Sequence, residues 1–324
     1  LRSGLTDSEE DLASLDLAQL NKMYVEFGHL AQSEPELEDQ AREAFARMEQ
    51  GDELHLKLWR AFREVTLKEL KNLYDLMGVS FDHYMGEAFF NDHLGQVVDL
   101  LNDKELLVKS QERDVVMLEE EGMPPCLIRK SDGSSLYATR DLAAAVYRYE
   151  TWNFDRCLYV VDNGQGLHFK QVFKVLEKTG FDWHTGMEHI PFGLILHWNK
   201  ADRKWSKGSS KLGNSNTLRE VFEAAQSKIL NFINEKNPAL EDKENTAMQV
   251  GISALVFNDL KNRRSIDVKF DWDAALSFEG DTGPYVQNAH VRLCSIMDKV
   301  GRTVASDQVD FSHLKEDQAQ DLIR

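Results

Sequence analysis

Three short stretches of the chain combine charged or amide side chains with glycine, serine or an aromatic ring at spacings that could bind a ligand. They are Tyr137-Ala138-Thr139-Arg140-Asp141, Asp162-Asn163-Gly164-Gln165-Gly166-Leu167-His168 and Lys207-Gly208-Ser209-Ser210-Lys211. In an open parallel sheet, ligands bind at the carboxyl ends of strands, where the following helix presents free N–H groups. Because each stretch lies at or beyond the carboxyl end of a predicted strand, we expect all three to meet at one edge of a sheet.

Each stretch also has a simpler explanation on its own. An acidic residue such as Asp141 in a first helical turn complements the helix dipole, and Tyr137 could be an ordinary strand aromatic. The glycines around Gln165 could serve a turn, and His168 could cap or pack at a helix start. Lysines in a loop with serine and glycine are usually solvated. The joint order of the stretches therefore carries more weight than any one of them.

The elements expected to position these stretches alternate between strands and helices. Ser135 to Thr139 reads as a strand and Arg140 to Tyr149 as a helix. The apolar run Cys157 to Val161 is typical of a fully buried parallel strand, and a helix follows it. Ile190 to Leu196 reads as the next strand, and residues 197–213 show no periodicity. This alternation predicts a parallel sheet covered by helices.

The flanking regions are predicted to be mainly helical. Residues from Thr6 to about Met77 are acidic, and Ser33-Glu34-Pro35-Glu36 predicts a helix start with a capping serine. Shorter, strand-sized pieces surround one helix near Val97 to Leu101. Further helices are predicted after a capping box at Thr217 to Glu220, and at about 244–260 and 285–300.

Composition narrows the class of protein. The chain has 324 residues, is 42% hydrophobic and carries a formal net charge of −17. These values exclude a disordered chain and argue against coating of nucleic acid through bulk positive charge, although a local basic patch stays possible. No stretch approaches the roughly 20 apolar residues of a membrane span. Cys126, Cys157 and Cys294 fit no disulfide framework, so we expect three buried thiols in a reducing compartment.

The Lys207 to Lys211 stretch, placed after a strand and before a helix, resembles the lysine-serine loop of class I aminoacyl-tRNA synthetases. Five further motifs are similar, in order, to the arginyl-tRNA synthetase family over roughly residues 50–300. They are Leu136 to Ala145, Tyr159 to Lys170 (YVVDNGQGLHFK), Pro191 to Leu194, Phe257 to Asn262 and Phe278 to Tyr285.

The resemblance implies roles for particular side chains. Asp141 matches the family residue that holds the arginine guanidinium, which suits a carboxylate because it can bind that planar cation bidentately. Tyr137 borders the same pocket, and Gln165 matches the glutamine near the substrate α-amino group. His168 and Gly193 fall in motifs that the resemblance places at the ATP site.

The lysine-serine loop would act on phosphates. Lys207 and Lys211 occupy its two basic positions, where they would bind ATP and neutralise charge on the departing phosphates. Ser209 and Ser210 could donate hydrogen bonds. The register has an alternative, because Lys204 to Gly208 could align with the same motif.

The resemblance implies an α/β fold: a Rossmann-type parallel-sheet catalytic core, followed by a partial all-α anticodon-binding region. The catalytic domain would span residues 1–236 with a helical insertion at about 6–78, a connecting region 237–283, and the start of the anticodon-binding domain 284–324. The implied enzyme is a cytoplasmic ligase that acts as a monomer. It would use L-arginine, tRNA(Arg) and ATP with Mg²⁺, with no protein-bound metal and no membrane.

Three departures keep other interpretations open. The chain begins with Leu1 rather than Met and lacks the family's His-Ile-Gly-His signature, so we expect an internal fragment that is inactive alone. Gly208 stands where the family usually has Met. A non-catalytic tRNA-binding paralogue and a class I synthetase for another amino acid are the alternatives. Asp141 with Tyr137 argues against an apolar substrate.

Overall fold

The computed structural model of the chain describes residues 8, 12–131, 136–199, 203–207, 217–301, 310 and 312. The chain divides into two compact units. The first comprises Leu1–Val221 and Asn262–Phe270, and the second comprises Phe222–Lys261 and Asp271–Arg324. All site residues predicted above belong to the first unit.

The acidic region up to Met77 is helical, as predicted, with α1 (Leu17–Ser33), α2 (Glu36–Glu49) and α3 (Glu53–Met77) in its described part. The expected serine cap is wrong, because the Ser33 hydroxyl donates to the Leu30 carbonyl within α1. Aspartates cap the neighbouring helices instead. Asp16 accepts from the backbone N–H of Gln19 at the start of α1, and Asp52 accepts from that of His55 at the start of α3.

The next segment builds the antiparallel sheet β1-β2-β3. A 3-10 helix (Glu87–His93) and α4 (Leu94–Asp103) precede β1 (Leu107–Ser110), β2 (Arg113–Val116) and β3 (Cys126–Arg129). Asp114 is buried and binds Lys109 Nζ at 2.8 Å and Arg129 Nε at 2.7 Å. The hydrogen bond from Lys109, assisted by Arg129, holds the pKa of Asp114 below its usual range.

The α/β core follows with α5 (Tyr137–Trp152), β4 (Cys157–Asp162), α6 (Gly166–Lys178) and β5 (Met187–Phe192). β4 and β5 pair in parallel, from Cys157 opposite Met187 to Asp162 opposite Phe192, which confirms the predicted parallel pairing. The strand predicted at Ser135 to Thr139 is wrong where the structure describes it, because Tyr137 to Thr139 form the first turn of α5. The backbone N–H of Leu136 and the hydroxyl of Thr139 both donate to the Ile128 carbonyl, so β3 leads into a helix.

β4 is buried on one face only. Tyr159 is 7% exposed and packs on Phe169 of α6, whereas Leu158 is 50% exposed and Val160 65%. The expectation of a fully buried strand was therefore wrong. A continuous apolar run looks the same whether one face or both are covered, since periodicity reports apolar character and not the partners that cover it.

A second small sheet follows a bend in the chain. The single strand predicted at Ile190 to Leu196 is two strands, because β5 ends at Phe192 and β6 (Ile195–Asn199) begins after Gly193 and Leu194. β6 pairs in parallel with β8 (Val268–Lys269) and antiparallel with β7 (Lys204–Ser206). The aperiodic stretch expected after Leu196 thus contains a hairpin.

Three of the four helical elements that the structure describes next agree with predicted ones, and the short helix at Trp272–Ala275 was not predicted. The four are α7 (Leu218–Lys236), α8 (Lys243–Leu260), the short α9 (Trp272–Ala275) and α10 (Gly283–Val300). The capping box is confirmed: the N–H of Thr217 donates to Glu220 Oε2 at 2.7 Å, and the N–H of Glu220 donates to Thr217 Oγ1 at 3.2 Å. In the second unit, Gly251 of α8 lies against Ala225 of α7, where a Cβ would touch the Ala225 methyl at 3.1 Å.

The three cysteines have free thiols in different environments. Cys126 is buried, and burial raises its pKa to about 12. Cys157 is half-buried and Cys294 is exposed on α10, so the expectation of three buried cysteines was wrong for Cys294. Among the helices that the structure describes, none is both long and apolar enough to cross a bilayer.

Candidate functional site

The structure brings Asp141 and His168 into direct contact. Asp141 begins the second turn of α5, and His168 lies in the first turn of α6. His168 Nε2 lies 2.6 Å from Asp141 Oδ2. The two side chains are 33% and 23% exposed, respectively, so both are reachable from solvent and both are partly enclosed. The pair joins two of the three stretches that the sequence singled out.

The helices that carry this pair are held by a common apolar core. α5 buries Leu142 and a run of three alanines, Ala143 to Ala145, while α6 buries Phe169 and Val172. All of these belong to one cluster with Ile128 of β3. Small side chains let helices approach closely, and a densely packed core fixes the backbone beneath the first turns. The positions of Asp141 and His168 are therefore set by packing below them.

The turn between β4 and α6 holds Gln165. Asp162 Oδ1 accepts from the N–H of Gly164 at 2.8 Å, and Asn163 Nδ2 donates to the Ser265 carbonyl at 3.0 Å. Gln165 precedes α6 and is exposed. The Asn163 contact fastens this turn to residues 262–270, a link that spans 102 positions and that sequence spacing does not reveal.

Gly193 lies at the bend between β5 and β6. Its N–H donates to the Arg264 carbonyl at 2.7 Å, and a Cβ here would overlap the backbone of Ile266. The N–H of the following Leu194 donates to Asp267 Oδ1 at 2.8 Å. The close approach of the 262–270 segment is thus a structural reason for glycine at this position, and the backbone N–H of Gly193 is already hydrogen-bonded.

Tyr137 is 67% exposed at the start of α5. It edges a cavity of about 1360 Å³ within the first unit, whose walls include Trp59, Arg63, Tyr84, Lys130 and Arg140. Aromatic rings and cationic groups thus lie on the side of α5 where Tyr137 is found.

The lysine-serine stretch is described only at its first residue. Lys207 follows β7 directly and is exposed. Ser209, Ser210 and Lys211 lie outside the residues that the structure describes, so the proposed phosphate-binding group stays a prediction. Within the described part of the chain, no ion pair or hydrogen bond joins Lys207 to Asp141, Gln165 or His168.

The sequence matches a known protein family over most of its length. Residues 2–272 match the family model described as tRNA synthetases class I (R), catalytic domain. The chain belongs to this family. In sequence it is 48% identical over 317 residues to the arginine–tRNA ligase of Alkaliphilus metalliredigens, covering 97% of this chain and 55% of that protein. It is 49% identical over 291 residues to that of an Exiguobacterium species, covering 90% of this chain and 51% of the relative.

A solved arginyl-tRNA synthetase has a similar fold. The structure from Plasmodium falciparum is 26% identical, with a TM-score of 0.69, and the match covers 91% of this chain and 50% of that one. This likeness and the parallel β4–β5 pair confirm the predicted α/β class I core with helical regions. The chain spans about half the length of the curated relatives that it matches.

The sequence found the residues of the pair but not their contact. Resemblance placed Asp141 with the arginine guanidinium and His168 beside the nucleotide, which assigned them to different substrates. In the structure the two side chains share a hydrogen bond. No local signal in the sequence reports this contact, because 27 residues separate the two positions.

Proposed function

We propose that this chain forms part of an arginine–tRNA ligase that activates L-arginine with ATP and transfers it to the 3′ end of tRNA(Arg). The observation that carries the proposal is the partly enclosed carboxylate of Asp141 on α5 of an arginyl-family class I core. Asp141 would hold the guanidinium, since a carboxylate is its best bidentate partner. Tyr137 would border the pocket, and Gln165 would lie near the α-amino group.

The proposed reaction has two steps. The carboxylate of arginine attacks the α-phosphorus of ATP, which forms a carboxyl–phosphate bond and releases pyrophosphate. A terminal ribose hydroxyl of the tRNA then attacks the carbonyl carbon of the arginyl-adenylate, and AMP leaves. Catalysis would come from positioning and from neutralising charge on the phosphates, for which we propose Lys207 and Lys211 with Ser209 and Ser210. Gly193 remains our proposed ATP-site residue, together with Mg²⁺ bound to ATP.

We further propose the domain limits 1–236, 237–283 and 284–324, and a monomer that acts in the cytoplasm without a protein-bound metal. The chain alone would be inactive, because it spans about half the length of its relatives. Correct placement of the substrates accounts for much of such catalysis. A site that lacks some of its residues should therefore be far slower than the complete site.

The test uses residues 1–324 completed with the remaining portions of the A. metalliredigens relative. Arginine-dependent ATP–pyrophosphate exchange, measured with tRNA present, should be detectable in this protein and absent from residues 1–324 alone. Asp141→Ala should raise the arginine KM by at least about 30-fold, because loss of a charged contact in an enclosed site costs about 2 to 5 kcal/mol.

Glu150→Ala is the matched control, since Glu150 is an exposed carboxylate near the other end of α5. It should leave the arginine KM within about twofold of the unsubstituted protein, as expected for a surface change away from the site. An equally small effect of Asp141→Ala would remove Asp141 from the arginine pocket.

A further inference from the structure

We propose that His168 is a positioning residue that holds the carboxylate of Asp141 in place for the arginine guanidinium. This inference rests on the function proposed above for Asp141. It reassigns His168 from the nucleotide to the amino acid, on the basis of the 2.6 Å contact between His168 Nε2 and Asp141 Oδ2.

The chemistry of the two groups sets the direction of the hydrogen bond. An ionised carboxylate can only accept, so the ring nitrogen that faces it must carry the hydrogen. His168 therefore donates from Nε2 to Oδ2. The hydrogen bond is compatible with the neutral ring that carries its hydrogen on Nε2 and with the doubly protonated ring. In both forms Nε2 is the donor.

The hydrogen bond leaves room for a guanidinium on the same carboxylate. Two carboxylate oxygens offer about four lone-pair sites, of which His168 uses one. Among the residues that the structure describes, none forms a hydrogen bond or an ion pair with Oδ1 of Asp141. A planar cation with several N–H donors could therefore bind both oxygens while His168 stays where it is.

His168 is the better anchored partner of the two. Its side chain is 23% exposed, against 33% for Asp141, and its ring meets the buried Phe169 ring edge-on with 5.2 Å between centroids. The terminal torsion of an aspartate is broad and only weakly restricted by itself. A fixed donor on α6 would therefore restrict the plane of the carboxylate on α5, which a fork-shaped guanidinium needs for two parallel hydrogen bonds.

The pair is poorly placed for a purely structural role. α5 and α6 already join through fully buried side chains such as Leu142 and Val172, whereas the pair itself is partly solvated. Hydrogen bonds that water can replace contribute little net stability. A positioning role predicts a change in arginine binding with little change in unfolding.

The experiment compares His168→Leu with His168→Gln in the completed protein described above. Leucine removes the donor, while glutamine can present an amide N–H at a similar distance from the backbone. His168→Leu should raise the arginine KM about tenfold, the effect of losing one hydrogen bond to a charged group, and leave the ATP KM within about twofold. His168→Gln should recover most of the loss.

His184→Leu is the matched control. His184 is 25% exposed, follows α6, and also lies near a carboxylate, with Nε2 3.9 Å from Glu177 Oε2. It should leave both KM values within about twofold. A rise in the ATP KM without a rise in the arginine KM for His168→Leu would return His168 to the nucleotide and overturn the proposal.

A second measurement is independent of activity. In ¹⁵N-labelled residues 1–324, Asp141→Asn should shift the ring nitrogen resonances of His168, and those of His184 should stay in place. Unchanged His168 resonances would overturn the contact itself. Absence of arginine-dependent exchange from the unsubstituted completed protein would overturn the proposed function, whereas exchange that His168→Leu leaves unaltered would overturn the positioning role alone.

Discussion

The α/β core and the helices α1 to α3 bury their apolar residues to very different degrees. Val172 and Val175 of α6 have no exposed surface, and Leu176 is 1% exposed. In the described part of the helical region, Leu73 is the one buried residue of α3, while Phe45 is 55% exposed and Leu54 45%. The candidate site residues Asp141 and His168 lie on α5 and α6 of the densely packed α/β core. Rigid packing beneath a site holds its side chains in place, so the core and not the helical region should govern the site's geometry.

The same substitution in the two regions tests this difference most strongly. Leu176→Ala on α6 should lower the free energy of unfolding by about 2 to 5 kcal/mol, because it leaves a cavity in a dense core. Leu76→Ala on α3 should cost less than about 1 kcal/mol, since Leu76 is 40% exposed. Urea unfolding followed by circular dichroism measures both. Equal losses would show that the helical region is packed as tightly as the core.

Alanine substitutions at Gly193 and Gly95 test whether the close packing of the core extends to the bend after β5. Gly193→Ala should lower the free energy of unfolding by about 1 to 3 kcal/mol, because its Cβ would overlap the Ile266 backbone. Gly95→Ala should instead stabilise by about 0.5 to 1 kcal/mol, since Gly95 is helical and its Cβ would meet open space. Thermal unfolding should move the two midpoints in opposite directions. A midpoint for Gly193→Ala equal to that of the parent would contradict the close approach.

Ion pairs should differ in the same sense between the antiparallel sheet, which shares the apolar cluster of the core, and the helical region. Asp114 is buried with Lys109 and Arg129, so Asp114→Asn should lower the free energy of unfolding at pH 7 by about 1 to 2 kcal/mol. The pKa of Asp114 is lowered in the folded chain, first by the Lys109 hydrogen bond. Its stabilisation is therefore present above the ordinary aspartate pKa of about 4 and is lost as the pH falls through the lower folded value. Unfolding measured from pH 7 to pH 3 should show the difference between parent and variant shrinking below about pH 4.

The smallest effect is expected for an exposed pair of the helical region. Arg47 and Glu43 lie 2.6 Å apart at i,i+4 on α2, with side chains more than half exposed. Glu43→Gln should lower the free energy of unfolding by about 0.3 to 0.5 kcal/mol, and added salt should remove the difference. A loss as large as that of Asp114→Asn would contradict the view that this helical face is solvated.

Local patterns in the sequence predicted much of the secondary structure. The helix after Thr217 begins at its capping box, and α8 and α10 lie close to the ranges that the sequence predicted. These features depend on residues three or four positions apart, which a sequence shows directly. Predictions that depended on distant partners were less successful. Tyr137 to Thr139 resemble a strand, yet hydrogen bonds to the Ile128 carbonyl turn them into the start of a helix.

The sequence by itself determined the order of the motifs, and with it the family and the carboxylate proposed for the guanidinium. Only the tertiary structure decided what surrounds that carboxylate. His168 reaches Asp141 because two helices pack their first turns together over one apolar core, and Gly193 meets Ile266 because residues 262–270 return to β6. Both contacts arise from the packing of elements far apart in the chain, and periodicity and spacing report only what lies within a single element.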